Sequence, residues 1–407
     1  MRITFLNQTF YPDVAATAQH AHDLARHLAA AGHEVSAVTS RSLYGTKGAT
    51  LPRCETVDGI RVHRVGQSLF GKAGIVARMI DFALFYVAAL LKLLTLPKQD
   101  VIVCLTTPPF ITLAGLIVRM LRGGKTVYWV MDMYPDLPIA CGVLRPTHPV
   151  AWIGERLDRY CVRHVDAAVV LGRCMRDRVL AKGAKPERVH LIGVWSDQDE
   201  LAARTDAPNA FRSEWGIDDR LLVMYSGNFG LGHDIETFLA AARELRNNDR
   251  VRFAFVGGGK RKAEVDASVR EHGLANCILA PYQPRARLAE LLDAGDVHLI
   301  SLKVGVEGIM VPSKYYGVLG VGKPAIFIGD AKSEIARCIR EDDCGTVIAP
   351  GDSASLVAAI EAYARDAERR RAEGARGLES LVAKHSRIVR CEEWRRLLES
   401  MGSQGTP

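Results

Sequence analysis

The chain has 407 residues, of which 48% are hydrophobic and 24% charged, with 36 glycines and 17 prolines, a composition that excludes disordered and fibrous proteins. At roughly 150 residues per domain it holds two or three domains, each able to bury its own core. Its nine cysteines form an odd set with no CxxC pair, which argues against a disulfide framework or a structural zinc site and for reduced thiols in the cytoplasm.

Short β-rich runs alternate with helical patterns from the start. Strands are expected at Ile3 to Leu6, Val35 to Thr39, Arg61 to Val65, Val101 to Leu105, Thr126 to Val130, Ala167 to Leu171 and Val189 to Ile192. A helix is expected from about Thr17 to Ala31, closed by Gly32. After a polar segment, Ser196 to Asp219, the alternation restarts at Leu221 to Tyr225 and continues with Val251 to Val256, Ile278 to Leu279, Val297 to Ser301, Pro324 to Ile328 and Thr346 to Ile348. This pattern predicts an α/β protein with two tandem Rossmann-like domains facing an interdomain cleft. The first is placed at 1–200 and the second at 201–385, with a last helix from about 386 to 407 crossing back to the first.

The formal charge of +7 is unevenly placed, since residues 1–200 carry 24 basic against 17 acidic groups and 201–407 carry 29 of each. Residues 41–125 hold 12 basic and 4 acidic side chains around the most apolar stretch, Ala73 to Leu96. Arg78, Asp81 and Lys92 interrupt that stretch, and its longest uncharged run is ten residues against the about 20 needed to span a bilayer. It reads either as a buried helix or as a helix lying on an anionic membrane. MRITFLNQTFYPDV at the N-terminus reads as a first strand rather than a secretory signal. No nucleic acid partner is expected.

The first strand-to-helix turn, Asn7 to Ala18, contains no glycine, so the dinucleotide-binding GxGxxG fingerprint is absent there. In the second half, Leu221 to Tyr225 runs into Ser226, Gly227, Asn228, Phe229, Gly230, Leu231, Gly232 and His233, with Asp234 placed to cap the next helix. Backbone amides there can cradle a phosphate, although tight turns also use glycine without a ligand. Gly257, Gly258 and Gly259 precede Lys260, Arg261 and Lys262, which reads as a solvated turn. The segment Glu307 to Pro324 places a carboxylate, a tight turn at Pro312-Ser313 and Lys314 at the start of a helix, following a strand. Such a carboxylate can hold sugar hydroxyls, and such a lysine a diphosphate. His20, His22 and His33 read as helix or cap residues.

Five segments in order, FYPDVAATAQHAHDLARHLAAAGHEV, WVMDMYPDLPIACGVL, YSGNFGLGHDIETFLAAA, PYQPRARLAELLDAGDVHLISL and EGIMVPSKYYGVLGVGKP, resemble the GT-B glycosyltransferases of retaining family 4, in particular the bacterial sugar transferases of surface-polysaccharide and O-antigen assembly. The likeness spans nearly the whole chain. It implies transfer of a hexose or N-acetylamino sugar from a nucleotide donor, UDP-linked, with retention of anomeric configuration. The donor is expected on the second domain and a sugar acceptor on the first, and the basic, apolar region of the first half points to a lipid-diphosphate-linked acceptor at the inner face of the cell membrane.

The resemblance puts Glu307 at the first glutamate of the family's paired-glutamate motif, after a two-residue shift, and Gly317 at the second. The usual Arg and Lys of the phosphate loop fall on Asn228 and His233. Charge on the departing diphosphate is therefore left to Lys314 and the loop amides, with His233 as a further hydrogen-bond donor, and Gly227, Asn228, Gly230, Val311, Pro312 and Ser313 are expected to line the donor site. Tyr282 and Gln283 stand where similar proteins hold the base. Asp132, after the strand Thr126 to Val130, is either a turn residue or the group that orients or deprotonates the acceptor hydroxyl, with Asp136 as a neighbour that could share the task. The triplet Asp197-Gln198-Asp199 reads as a solvated linker turn rather than a metal site, so neither metal nor cofactor is expected. Two other readings fit the same features: a nucleotide-sugar epimerase of similar bilobal fold, and a catalytically inactive homologue serving as a subunit.

Overall fold

The computed structural model describes residues 1–13, 15–43, 50–67, 75–196, 201 and 208–403, with the side chains of 75, 76, 78 and 403 excepted. The chain divides into two compact units, Met1–Gly193 with Ile388–Pro407, and Val194–Arg387. Each is built on its own sheet.

The first unit has β1 (Arg2–Leu6), β2 (Glu34–Ser40), β3 (Cys54–Val57), β4 (Ile60–Val65), β5 (Val101–Cys104), β6 (Lys125–Val130), β7 (Ala167–Val170) and β8 (Val189–Leu191), in the order β3-β4-β2-β1-β5-β6-β7-β8. The central strands VIVC and AAVV are buried at every position, as befits parallel strands covered on both faces. All neighbours are parallel except β3 and β4. That hairpin was not foreseen, because Cys54–Val57 alternates half-buried and exposed at the sheet edge and carries little apolar signal. Its turn, Asp58-Gly59, has φ of 50° and 79°, the mirror-image turn that aspartate and glycine favour.

The helix Ile75–Thr95 turns Phe85, Ala89 and Leu93 into a core with Leu6, Val38 and Ile102. The C-terminal helix, Arg387–Ser403, adds Trp394, whose ring centroid lies 4.6 Å from that of Trp129 on β6. Both indoles are fully buried.

The second unit holds β9 (Leu221–Asn228), β10 (Val251–Gly258), β11 (Cys277–Ala280), β12 (Val297–Ser301), β13 (Ala325–Ile328) and β14 (Gly345–Ile348), all parallel, in the order β11-β10-β9-β12-β13-β14. Its core stacks Tyr225, Phe229, Phe238, Phe253 and Phe255 between the sheet and its helices. After β9 the chain moves outward through β10 to β11, then returns to place β12 on the other side of β9. The strand order therefore reverses between β9 and β12, and in sheets of this kind the carboxyl ends of the strands at such a point are where ligands bind. All nine cysteines are free thiols. Among the described residues no helix is long and apolar enough to cross a membrane.

Candidate functional site

In the second unit β9 and β10 do not stop at Tyr225 and Val256 but stay paired through their glycines, Gly257 opposite Gly227 and Gly258 opposite Asn228. Gly227 and Gly257 have φ of 134° and 130°, and a Cβ on Gly257 would sit 2.0 Å from the Gly227 carbonyl oxygen. Glycine here lets two backbones approach at the carboxyl ends of the strands, a demand of the fold before any ligand arrives. Phe229 then plugs the core, its amide donating to the Gly258 carbonyl at 2.7 Å. The loop from 229 to 233 is tied to the one after β12, since the Lys303 amide donates to the Gly232 carbonyl at 2.9 Å.

His233 is buried and its Nδ1 lies 2.6 Å from the Ser301 carbonyl. A carbonyl only accepts, so Nδ1 carries the proton and Nε2 does not. Burial, with the neighbouring Lys314 and Arg261 charges, pushes the imidazole pKa down to about 3. The expectation that His233 donates to a diphosphate therefore fails: the ring is neutral and its one N–H is committed to bracing β12. Asp234 accepts the Thr237 amide at 2.9 Å and caps the next helix.

Lys314 is the unusual group. It opens the helix Lys314–Gly320, and its Nζ lies 3.6 Å from the centroid of the Tyr225 ring. The same Nζ is shut off from solvent with no hydrogen-bond partner. It would lie 3.5 Å from a Cβ on Gly227, so it stands directly behind the glycine end of β9. Burial pulls its pKa down to about 7. An ammonium on an aromatic face retains part of its solvation as a cation–π contact, but three N–H donors remain unused.

Around it stand the other sequence-predicted residues. Asn228 is exposed, and Gly259 leaves room for its Oδ1, which a Cβ there would approach to 2.3 Å. Gly230, Val311 and Ser313 are half-buried and Pro312 is buried. Tyr315 donates its amide to Pro312, closing the turn that launches the helix. Glu307 accepts the Gly305 amide at 2.7 Å within a loop where Gly308 has φ of 73°. Tyr282 is 59% exposed and lays its ring over Gly258, where a Cβ would meet Cε2 at 2.9 Å. Gln283 donates to the Pro281 carbonyl at 3.1 Å. Gly317 lies on the same helix as Lys314, next to Leu292.

Three partners escaped the sequence reading. Tyr225 and Ser301 were seen only as strand ends, yet they receive Lys314 and His233. Arg261, placed in a solvated turn, is instead buried and donates to the His233 carbonyl at 3.1 Å and to Glu236 and Glu264 at 2.6 and 2.8 Å. Two carboxylates consume its charge.

In the first unit Asp132 follows β6 at the carboxyl end of its strand. Its half-buried carboxylate makes no hydrogen bond among the described residues, and burial pushes its pKa up to about 6. Asp136 is held otherwise: Lys182 Nζ lies 2.7 Å from Asp136, 2.5 Å from Glu155 and 3.0 Å from Asp158. It therefore does not share the role expected beside Asp132. Among the described residues, Asp136, Glu155 and Asp158 are the one acidic group close enough to share an ion, and the lysine ammonium already bridges them. His22 pairs with Asp58 at 3.1 Å and His33 with Glu399 at 3.1 Å, each a structural contact. Asp197-Gln198-Asp199 lies outside the described residues.

The sequence pattern of the Glycosyl transferase 4-like domain matches residues 16–195, and that of Glycosyl transferases group 1 matches residues 209–379. The chain belongs to the GT-B glycosyltransferases of family 4. It is 26% identical over 372 residues to WcaI of Escherichia coli (strain K12), named as a glycosyl transferase of colanic acid biosynthesis, covering 88% of this chain and 91% of that one. It is 32% identical over 270 residues to WbjE of Pseudomonas aeruginosa, named as a glycosyltransferase, covering 65% and 66%. HepE of Anabaena, solved in complex with UDP-glucose, superposes with a TM-score of 0.73 at 13% identity, covering 98% of this chain and 100% of HepE. That last likeness establishes the GT-B fold alone. The chain is thus a glycosyltransferase with two Rossmann-like domains.

Proposed function

We propose that the glycosyltransferase takes a sugar from a UDP-linked donor and passes it, with retention of configuration and without a metal ion, to a lipid-linked sugar acceptor in cell-surface polysaccharide biosynthesis. The observation that carries the donor side is Lys314: a buried ammonium with unused donors, set behind a glycine-lined strand end at the point where the strand order reverses. A buried cation without a partner costs stability and is retained where an anion completes it.

In the reaction the bond from the anomeric carbon to the diphosphate oxygen breaks, and the nucleoside diphosphate leaves with the electron pair. Lys314, protonated, and the backbone amide of Ser313 meet that charge as donors already in place before the bond breaks. Glu307 holds hydroxyls of the transferred sugar, and the Tyr282 ring offers its exposed face to the base. The acceptor hydroxyl attacks the anomeric carbon and gives up its proton, for which Asp132 is a base poised close to neutrality. The polysaccharide setting and the UDP donor are supported by the relatives' names and by the HepE complex.

A thermal-shift panel of UDP, GDP, ADP and TDP sugars tests the donor, because a ligand that binds the folded state raises the melting temperature with its affinity. UDP-sugars are expected to give the largest shift, and a flat panel would sink the proposal. Activity unchanged by excess EDTA is expected; loss restored by magnesium or manganese would overturn metal independence.

A further inference from the structure

We propose that three adjacent helices of the first unit, Ile75–Thr95, Thr112–Arg122 and Pro149–His164, form a single face that lies on an anionic lipid bilayer. The proposal deepens the lipid-linked acceptor reading, and it stands on residues that take no part in the donor site. Of the twenty large apolar side chains that are exposed among the described residues, twelve fall on these three helices, so the exposure is concentrated rather than scattered. The first helix packs on the second and the second on the third.

The helix Ile75–Thr95 is apolar on two opposite sides. Asp81, Phe85, Ala89 and Leu93 repeat every four residues and face the core. Ile80, Leu84, Val87 and Leu91 repeat at four, three and four residues, the spacing of one helical stripe, and every one of them is exposed. A helix that only had to cover a sheet would place polar residues on this second stripe.

The neighbouring helices continue the surface. Ile117, Met120 and Leu121 form a stripe on the second, with Met120 77% exposed. On the third, Trp152 is 58% exposed, Ile153 and Tyr160 lie along the same side, and Arg156 sits 4.0 Å over the Trp152 ring. A dozen large side chains at roughly half exposure leave on the order of 1,000 Å² of apolar surface in water, beyond the about 300–600 Å² typical of the largest patch on a monomer. Tryptophan and tyrosine beside arginine match the headgroup layer, where one end of a side chain is apolar and the other wet.

Charge decides what covers the face. The three helices contain only three carboxylates, and none faces out free: Asp81 and Asp158 are buried, and Glu155 is bound to Lys182 and Arg159. Arg122, Arg156 and Arg163 are exposed on the helices, and Lys98 and Arg145 on the segments next to them. A second copy of the chain docked by a two-fold axis would bring these cations against each other, whereas anionic headgroups neutralise them while the apolar stripes reach the acyl boundary, about 5–10 Å deep for an interfacial helix.

Flotation of the full chain with vesicles of phosphatidylglycerol and phosphatidylcholine tests this, with pure phosphatidylcholine vesicles beside them. The chain is expected to float with the anionic vesicles and to lose about tenfold or more of that partitioning in Leu84→Glu/Leu91→Glu, at unchanged UDP-induced melting shift. Arg156→Glu/Arg163→Glu is expected to bind both vesicle types equally weakly. Binding that ignores both variants, no binding by the unaltered chain, or a dimer by light scattering that the leucine variant dissociates would each overturn the proposal. Vesicle binding without any nucleotide-sugar binding would leave this face standing and remove the donor reading alone.

Discussion

Replacing Lys314 by methionine separates what the lysine costs the fold from what it does for a ligand. In the folded chain burial brings its pKa from 10.5 down to about 7, so between those values the unfolded state binds more protons and stability rises with pH. At pH 7 that difference amounts to at most about 4 kcal/mol against the fold, at 1.36 kcal/mol per pKa unit. Methionine, of similar length, occupies the place of the lysine without charge, and the lost cation–π contact with Tyr225 offsets about 0.5–2 kcal/mol of the gain. Lys314→Met is therefore expected to melt above the unaltered protein at pH 7, with an advantage that shrinks toward pH 10. It is expected at the same time to bind UDP about 10- to 150-fold more weakly, because a charge-assisted hydrogen bond contributes about 1.5–3 kcal/mol. Titration calorimetry in two buffers of different ionisation enthalpy adds a third reading, since UDP bound by a half-protonated lysine takes up protons near pH 7 and the variant takes up none. A variant that binds UDP within about threefold of the original, or that melts below it at pH 7, refutes the assignment.

Asp132→Asn is expected to lower kcat by about 10²–10⁴, and the unaltered enzyme to gain activity as pH rises through about 6, where the carboxyl becomes a base. Because the folded pKa lies above the usual 3.8, the ionised carboxylate also burdens the fold above that pH, and the amide relieves at most about 3 kcal/mol; an unaltered kcat would remove Asp132 from the reaction. Gly257→Ala places a Cβ 2.0 Å from the Gly227 oxygen at φ 130° and is expected to cost about 3 kcal/mol or more in thermal or urea unfolding. An alanine variant that unfolds with the original shows that the strand ends separate freely. His233→Ala orphans the Ser301 carbonyl at a cost of about 1–3 kcal/mol and is expected to leave UDP affinity within about threefold; a larger loss of affinity returns the imidazole to the diphosphate.

The alternation of apolar runs and helical stretches was enough to place thirteen of the fourteen strands, because parallel strands buried on both faces are written as continuous apolar runs. β3 escaped because an edge strand with one wet face has no such run, although Asp58-Gly59 carried the turn signal. At the site, residue types and spacing pointed to Lys314, Gly227 and Asp132 as candidates. Partners were not legible. Whether an imidazole donates or accepts depends on the one carbonyl that meets Nδ1, and Ser301 lies 68 residues from His233. Asp136 looked equivalent to Asp132 until Lys182, 46 residues away, claimed it. Sequence spacing records which groups share a loop, whereas the charge state of each is set by contacts across strands.

The substitutions at the phosphate loop acquire a physical sense from the same contacts. Asn228 and His233 stand where the family resemblance leads one to expect cations; neither supplies a charge, and Arg261 is paired with Glu236 and Glu264. The charge sits instead on a lysine that burial holds close to its neutral form. At pH 7 that lysine is about half protonated, so on the proposed reading the arriving diphosphate draws it to its fully charged form. The proton taken up on donor binding then has to leave with the nucleotide. Release of UDP is accordingly expected to quicken as pH rises above 7, so that a slow product-release step would show as a kcat that climbs with pH on the alkaline side while UDP inhibition weakens.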